Sequence, residues 1–350
     1  MYVYDNCRTE SKDIVETINE LFSSMQKKKH IVYADKETLR ILQKCESLDR
    51  SGAMMAWIEK HYLDLRAVER KVYFTVALIT GDSYFDGKTY FLCIDSIKEF
   101  YETQCLTEND EDFVFYQKIY NFMYADLKLV GCCLQNNPFY GGNVANRIDW
   151  VKKENKFFIC IVDSDKDYKG GAFGSTYHSA KTAMDHTPAD TPQLLYVLKV
   201  REKENLLPFH LYNPECLNQK CLISCILKVK DEEFLRFVKI KSGYKLKNLT
   251  GNNNFLLTKY NDFFEMCKKV GIYTSVQNED DYCIKGISAN LLSQTIKTEF
   301  AGKSYKQLQN AKEIDNFFGK QQYIIEEWKE IASLLFDFGC CLSKDVNFLT

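Results

Sequence analysis

The fold is decided by the stretch Lys156-Phe-Phe-Ile-Cys-Ile-Val-Asp163-Ser-Asp165-Lys-Asp167-Tyr-Lys-Gly-Gly171. Its first half, Lys156–Val162, is an unbroken run rich in β-branched and aromatic residues, which is typical of a strand buried on both faces of a parallel sheet. Leu194–Val200 is a second run of this kind. We therefore predict an α/β fold, in which a parallel sheet is flanked by helices.

Helical patterns surround these two strands. Ser11–Lys27 repeats apolar residues at helical spacing, and Val144–Lys153 has a composition that suits a helix just before the first buried strand. His30–Ala34 is a short β-rich run that leads directly into a helical pattern over Lys36–Cys45, so we predict a strand, a sharp turn and a helix there. Further helices are expected near the carboxyl end, over Phe255–Val270, Ala289–Phe300 and Gln321–Phe338.

The length of 350 residues allows one large domain or two ordinary ones. We expect residues 1–48 to hold the first helix and the first strand and helix of the sheet, and residues 49–135 to form an inserted subdomain that is mixed or mainly helical. Residues 136–250 should form the core of the sheet. Residues 251–350 should form a helical region that caps the core or binds a partner.

The composition excludes several classes of protein. A hydrophobic content of 45% rules out disorder, and the longest apolar runs are far shorter than the roughly 20 residues that span a bilayer. The amino terminus lacks the apolar segment of a secretory signal, so we expect a cytoplasmic protein. The 14 cysteines are scattered along the chain, which favours buried thiols over disulfides.

Three aspartates follow the first buried strand at alternate positions: Asp163, Asp165 and Asp167. Alternation places Asp163 and Asp165 on the same side, at the strand end where α/β sheets bind ligands. Two carboxylates this close repel each other unless a hard cation neutralises them, and oxygen ligands favour Mg²⁺ or Mn²⁺. The alternatives are a polar turn, or a calcium loop that lacks its final glutamate because Gly174 stands there.

Charged residues also follow the second buried strand, in Arg201-Glu-Lys-Glu204-Asn205. A solvated turn is the plain alternative for such a run. A further charged segment is Lys239-Ile-Lys241-Ser-Gly243, in which alternation points both lysines to one side and the glycine allows a tight turn. Together with the aspartates, these residues are the candidates for a catalytic site.

The order of Asp163-x-Asp165, Arg201-Glu-x-Glu204-Asn and Lys241-x-Gly resembles the TOPRIM-type nuclease domain of the overcoming-lysogenization-defect class, which occurs in bacterial anti-phage systems. The resemblance covers Lys29–Cys45 and Gly141–Lys247, and it leaves residues 50–135 as an insertion.

One motif departs from the family pattern. The family's first motif is Val-Glu-Gly-x-x-Asp, and its alignment with Ile31–Glu37 puts Tyr33 at the position of the glutamate. Asp35 or Glu37 is then the nearest acid that could replace it.

The resemblance implies a TOPRIM-like, Rossmann-like sheet and a phosphodiesterase site that uses Mg²⁺ or Mn²⁺. The metal ligands it implies are Asp163, Asp165, Glu204 and Asp167, with Asp35 or Glu37. Lys241 and Arg201 would neutralise the charge that grows on the phosphate. Residues 151–250 contain 17 Lys+Arg and 12 Asp+Glu, a net of +5 in a chain of net charge −2, which modestly favours a phosphodiester substrate.

The resemblance also implies an antiviral toxin effector that cleaves RNA, such as tRNA, or DNA. Its expected regulator is an ATPase of the ABC/SMC type or, less often, a reverse transcriptase complex, and a homodimer is compatible with the pattern. Two alternatives remain open at this point. One is a catalytically degenerate TOPRIM domain that serves as a binding or scaffold subunit, and the other is an enzyme of nucleotide phosphotransfer.

Overall fold

The computed structural model describes residues 2–3, 12–44, 48, 52–72, 74–79, 81–93, 102–125, 127, 129–186, 191–212, 222–250, 254–287, 303–344 and 346. Its first part contains β1 (Tyr2–Val3), α1 (Lys12–Gln26), α2 (Lys36–Gln43), α3 (Gly52–Lys60), α4 (Tyr62–Glu69), β2 (Thr75–Ile79), β3 (Tyr84–Phe85) and β4 (Thr89–Cys93). The strands form a sheet in the order β1-β2-β4-β3, in which only β3 runs antiparallel to its neighbour. The helices and this sheet share an apolar core that includes Ile18, Phe22, Leu39 and Trp57.

The central part is a second sheet with helices on both faces. It contains β5 (Thr103–Leu106), α5 (Asp110–Tyr124), β6 (Val130–Cys132), β7 (Leu134–Asn136), α6 (Val144–Lys153), β8 (Phe158–Val162), α7 (Ser175–His186) and β9 (Gln193–Val197). The strand order is β7-β5-β8-β9, and every pair is parallel. This arrangement confirms the predicted α/β fold and both predicted strands. β8 is buried throughout, whereas only Tyr196 is buried in β9, which ends at Val197 and not at Val200 as predicted.

The two faces of β8 show why its sequence is apolar throughout. Phe158, Cys160 and Val162 pack into one core with α6 and α7. Ile159 and Ile161 point to the opposite face and join the core that contains α5. Because side chains alternate along a strand, a strand covered on both faces needs an apolar residue at every position.

The carboxyl-terminal part contains α8 (Leu222–Ile226), α9 (Glu232–Phe237), β10 (Gly243–Lys245), α10 (Asn254–Lys259), α11 (Asn261–Val270), β11 (Tyr282–Lys285), α12 (Ala311–Phe317), α13 (Gln322–Gly339) and β12 (Cys340–Leu342). β10 pairs with β11 and β12 pairs with β6, both antiparallel. The single helix predicted over residues 255–270 is two helices, and it ends as expected at Gly271, whose φ of 77° is left-handed. The helix predicted over residues 289–300 lies outside the described residues.

Helix α13 belongs to the central core. It packs along α5, and Glu327 accepts hydrogen bonds from the Tyr196 hydroxyl at 2.8 Å and from the Lys199 backbone N–H at 2.9 Å. The indole N–H of Trp328 donates to the Leu206 carbonyl at 2.9 Å. The predicted carboxyl-terminal helix therefore packs against the central sheet as part of its core.

Two predictions about the amino-terminal half are wrong. The predicted strand His30–Ala34 has no regular secondary structure, although α2 begins at Lys36 as expected. The strand beside β8 in the central sheet is β5 instead, and the outer strand on that side is β7. β5 and the first two residues of β7 come from residues 49–135, so part of that segment belongs to the central sheet. Two of the four residues in Thr103–Leu106 are polar, so the sequence did not indicate a buried strand there.

Membrane-spanning helices and disulfides are the two features that the sequence argues against. None of the described helices has the length and apolarity needed to cross a membrane. The ten cysteines that the structure describes are free thiols, six of them buried, as their scattered positions in the sequence predict.

Candidate functional site

The carboxyl ends of β5, β8 and β9 lie side by side because these strands are parallel neighbours. Asp163 follows β8 directly, and the segment after β9 folds back onto it. The Lys203 backbone N–H donates to the Asp163 carboxylate at 3.2 Å, and the Ser164 hydroxyl donates to the Val200 carbonyl at 2.6 Å. The two charged segments found in the sequence therefore meet at one edge of the sheet.

The run Arg201–Asn205 is buried, so it is not a solvated turn. Arg201 donates to the carbonyls of Asp165 and Lys166, both at 2.9 Å. The Asn205 side-chain amide donates to two carbonyls at 3.0 Å, those of Leu235 and Val238. Buried polar groups of this kind are stable only when they are hydrogen-bonded. Arg201 and Asn205 thus fasten the run to its neighbours on both sides.

Glu202 fastens the same run to the segment that contains Lys241. One carboxylate oxygen of Glu202 accepts from the backbone N–H of Ile240 at 2.9 Å and of Lys241 at 2.7 Å. Burial raises the pKa of Glu202 to about 7, assisted by repulsion from Glu204 and opposed by these hydrogen bonds. The contact holds Lys241 at the edge of the sheet, where its side chain is exposed.

Glu204 is the least satisfied acid of the site. Its side chain is 3% exposed, and neither carboxylate oxygen has a hydrogen-bond partner. Burial raises its pKa, while the charges of Lys203 and Lys241 act in the opposite direction. A buried carboxylate without a donor is costly, so this side chain is suited to a ligand that brings positive charge.

Asp163 lies within electrostatic reach of the other acids. Burial raises its pKa well above the ordinary value, and repulsion from Glu204 is the next largest cause, followed by Glu202 and Asp165. Glu108 adds to this repulsion. Five carboxyl groups therefore share one region, and their mutual repulsion favours protonation unless a cation enters.

Glu108 is the residue that the sequence reasoning missed. It follows β5 by two residues, and its charge acts on Asp163, Asp165, Glu204 and Lys241. The stretch Glu108–Asp112 leads into α5, and Asn109 and Asp112 form a capping box. The signal that could have found Glu108 is an acid shortly after a short strand, as Asp163 follows β8.

Lys241 is the cation of the site. Burial opposes its charged form, but the carboxylates around it, Glu204 and Glu108 foremost, raise its pKa above the ordinary value. Lys203 has a different task, because its ammonium is buried in an ion pair with Asp112. That pair joins the first turn of α5, which follows Glu108, to the run that contains Glu204.

The remaining predicted site residues divide into two groups. Asp165 lies at the site in a left-handed conformation, with φ at 55°, and burial raises its pKa. Gly174 makes room for it, since a Cβ there would lie 2.3 Å from an Asp165 carboxylate oxygen. Asp167 is paired with Arg201 at 2.5 Å and with Lys239 at 3.0 Å. Arg201 and Asp167 thus pair with each other in a buried network. Arg201 is not free to bind a phosphate, and Asp167 is not free to bind a metal ion.

Asp35 and Glu37 are not brought to this edge. Asp35 is the N-cap of α2 and accepts from the backbone N–H groups of Glu37 and Thr38, both at 2.9 Å. Glu37 is exposed in the first turn of that helix. Tyr33 packs in the amino-terminal core. Asp35 and Glu37 therefore belong to the start of α2 and not to the group of acids around Asp163.

The ligand atoms of the site are of the type that a hard divalent cation prefers, but their arrangement is not that of a metal site. The oxygens belong to carboxylates, and those of Glu204 are buried without donors. In the described part of the chain, however, no group of three or more histidine, cysteine, aspartate or glutamate side chains is arranged to hold a metal ion. The acids share a region but would need new rotamers to share an ion.

Comparisons of the chain with protein-family models, with curated proteins and with solved structures find no match.

Proposed function

We propose that the chain is a metal-dependent nuclease with a TOPRIM-like core, which hydrolyses phosphodiester bonds in RNA, such as tRNA, or in DNA, as the effector of an anti-phage defence system. One observation carries the proposal: Glu108, Asp163 and Glu204 come together with Lys241 at the carboxyl edge of a parallel sheet. Burial raises the pKa values of Asp163 and Glu204, and buried acids with raised pKa values at a ligand-binding edge are candidates for a functional site.

The position of Glu108 also supports the family resemblance. The family's first motif places an aspartate four residues after its glutamate, and Glu108 and Asp112 have this spacing shortly after β5. An alignment on residues 107–112, in which Thr107 and Asn109 stand for the valine and the glycine, therefore supplies the glutamate that the alignment on Ile31–Glu37 lacked. It also removes Tyr33 as an argument for a degenerate site.

Asp163, Glu204 and Glu108 are the residues that would hold Mg²⁺ or Mn²⁺, with Asp165 beside them. When bound, such an ion polarises the phosphate and makes water a stronger nucleophile. Lys241 binds a phosphate oxygen and offsets the negative charge that develops on it. Glu202 keeps Lys241 in place through the two backbone N–H groups that it accepts from.

The test is cleavage of labelled RNA and DNA by the purified chain with Mg²⁺ or Mn²⁺, with and without candidate activators. We expect Asp163→Asn and Glu204→Gln to lower the rate by at least about a hundredfold. Glu37→Gln is the matched control: it removes an acid of the same type that lies outside the site, and it should retain the full rate. Equal rates for Asp163→Asn and Glu37→Gln would contradict the proposal.

A second candidate is a TOPRIM-like binding or scaffold subunit without catalysis. It is favoured by the finding that, in the described residues, the acids are not arranged to hold an ion. This candidate predicts that nucleic acid binds but is not cleaved under any metal or activating condition.

Activation by a partner belongs to the same proposal. An ATPase of the ABC/SMC type is the expected regulator, a reverse transcriptase complex is a less common one, and the effector is expected to act in the cytoplasm, alone or as a homodimer. Co-purification with the product of a neighbouring gene, followed by cleavage assays with ATP, tests this expectation. Light scattering of the purified chain tests the dimer.

A further inference from the structure

A groove with a volume of about 540 Å³ opens beside the acidic site, on the β9 side of the sheet. Its walls come from the loop after β8, the end of β9 and helix α9. The charged residues that line it are Lys166, Lys169, Lys199, Arg236, Glu232 and Glu233. A single water takes up about 30 Å³ in the liquid, so the groove has room for a ligand much larger than one small anion.

The charges of the groove favour an anion. Both acids already have cationic partners: Glu232 pairs with Arg236 at 2.6 Å, and Glu233 pairs with Lys259 at 2.5 Å. Lys166 and Lys169 form no ion pair with a carboxylate in the described part of the chain, and the Lys166 ammonium lies 3.7 Å from the centre of the Phe173 ring. Lys166 and Lys169 are thus the groove cations outside the ion pairs, and the charge of Lys169 also acts on Glu233. The other two lining cations, Arg236 and Lys199, are paired with Glu232 and Glu330.

The groove and the acidic site share a wall. The Arg201 backbone N–H donates to the Arg236 carbonyl at 2.8 Å, and its guanidinium donates to the carbonyls of Asp165 and Lys166 at 2.9 Å. Arg201 therefore holds one residue of the acidic site and two of the groove. The groove is therefore separated from Asp165 of the acidic site by one side chain, that of Arg201.

We propose that this groove binds the phosphodiester backbone of a nucleic-acid strand next to the phosphate that is cleaved, so that the substrate is a polynucleotide and not a free nucleotide. The role of the groove in cleavage rests on the proposed function, but binding of the strand does not. Each lysine that neutralises a phosphate releases counterions, so the affinity falls as the salt concentration rises. The slope of log affinity against log salt is proportional to the number of phosphate contacts.

The experiment measures binding of fluorescent RNA and DNA single strands to the full chain carrying Asp163→Asn, in the presence of a chelator, at several salt concentrations. We expect Lys166→Ala/Lys169→Ala to reduce the slope of log affinity against log salt by about 1.4, which is two contacts at about 0.7 each. The fall in affinity between about 50 and 200 mM salt then becomes about sevenfold smaller. The ratio of RNA to DNA affinity identifies which strand is preferred.

Two further variants make the result specific. Lys166→Arg/Lys169→Arg keeps both charges and should retain the original slope. Lys268→Ala/Lys269→Ala removes two exposed lysines of α11, outside the groove lining, and should also retain it. Melting temperatures of all variants show that they are folded. If the alanine variant in the groove is folded but has the same slope as the α11 variant, the groove proposal is overturned, as it is if polyglutamate or a free nucleotide binds as tightly as the strands.

Failure of the proposed function gives a different pattern. In that case the wild-type chain does not cleave with Mg²⁺ or Mn²⁺, while strand binding still depends on Lys166 and Lys169. Conversely, cleavage that is abolished by Asp163→Asn but unaffected by the groove variants supports the nuclease and rejects the groove.

Discussion

The two four-stranded sheets of this chain differ in the type of polar side chain that is buried around them. Around the amino-terminal sheet, the buried polar side chains are uncharged, such as Ser24, Thr38 and Thr75. The central sheet instead buries charged side chains at its carboxyl edge, among them Asp112, Arg201, Glu202, Lys203, Glu204 and Lys239. Apolar burial stabilises a fold at no electrostatic cost, whereas buried charges lower stability unless they are paired. Ion pairs and hydrogen bonds account for most of these charges, but the carboxylate of Glu204 has no hydrogen-bond partner and therefore lowers stability.

Two aspartates show the same contrast at the level of single residues. Burial opposes the ionisation of Asp35, but hydrogen bonds from Thr38 and Glu37 outweigh it and lower its pKa. Burial and repulsion from Glu204 raise the pKa of Asp163. Asp35 is stabilising as an anion in its cap, while Asp163 is destabilising as an anion until a cation arrives. Both follow segments that the sequence predicts as strands.

The largest effect is expected from breaking the buried pair of Lys203 and Asp112. Asp112→Asn leaves the Lys203 ammonium buried without its partner, so the free energy of unfolding should fall by about 3–5 kcal/mol. Urea denaturation measures this change. The control is Asp185→Asn, which breaks the exposed pair with Lys181 and should change stability by less than about 1 kcal/mol. Similar losses for the two variants would show that the buried pair is not a special feature of the central edge.

The next effect is a loss of stability with rising pH when no divalent cation is present. The folded-state pKa of Glu202, about 7, lies above its unfolded value of 4.5, so the folded chain binds more protons between these values. Its contribution to stability is present below about pH 4.5 and is lost as the pH rises through about 7, in total about 3 kcal/mol. Melting curves of the wild type and Glu202→Gln should therefore diverge over this range. Parallel curves would assign the pH dependence to other groups.

The smallest effect concerns the two aspartates. Asp35→Ala removes the N-cap of α2 and should lower the free energy of unfolding by about 1 kcal/mol without affecting cleavage. Asp163→Asn removes a repelled charge, so without a divalent cation it should leave stability unchanged or raise it, while it abolishes cleavage. Denaturation and cleavage assays on both variants check the pair. If Asp163→Asn destabilises as much as Asp35→Ala, Asp163 has a structural role in place of the catalytic one.

Much of the central sheet could be predicted because long apolar runs carry a strong signal. β8 and β9 are bounded by polar turns and buried on at least one face, and α1 and α13 repeat apolar residues over several turns. β5 is four residues long and includes Thr103 and Gln104, whose burial depends on neighbours far away in the chain. His30–Ala34 has strand-like residues but adopts no regular secondary structure, so local preference was overruled by tertiary context.

The sequence by itself determined the α/β class, the strand before Asp163, and the acids and lysines that follow the buried strands, because these features depend on periodicity and on the order of residues. Only the tertiary structure decided which strand lies beside β8, and therefore that Glu108, not Asp35 or Glu37, joins Asp163 and Glu204. It also decided that Arg201 and Asp167 bind each other. The reason is physical: a site at a sheet edge is made by neighbours in space, and pairing between short strands is set by the packing of the whole core.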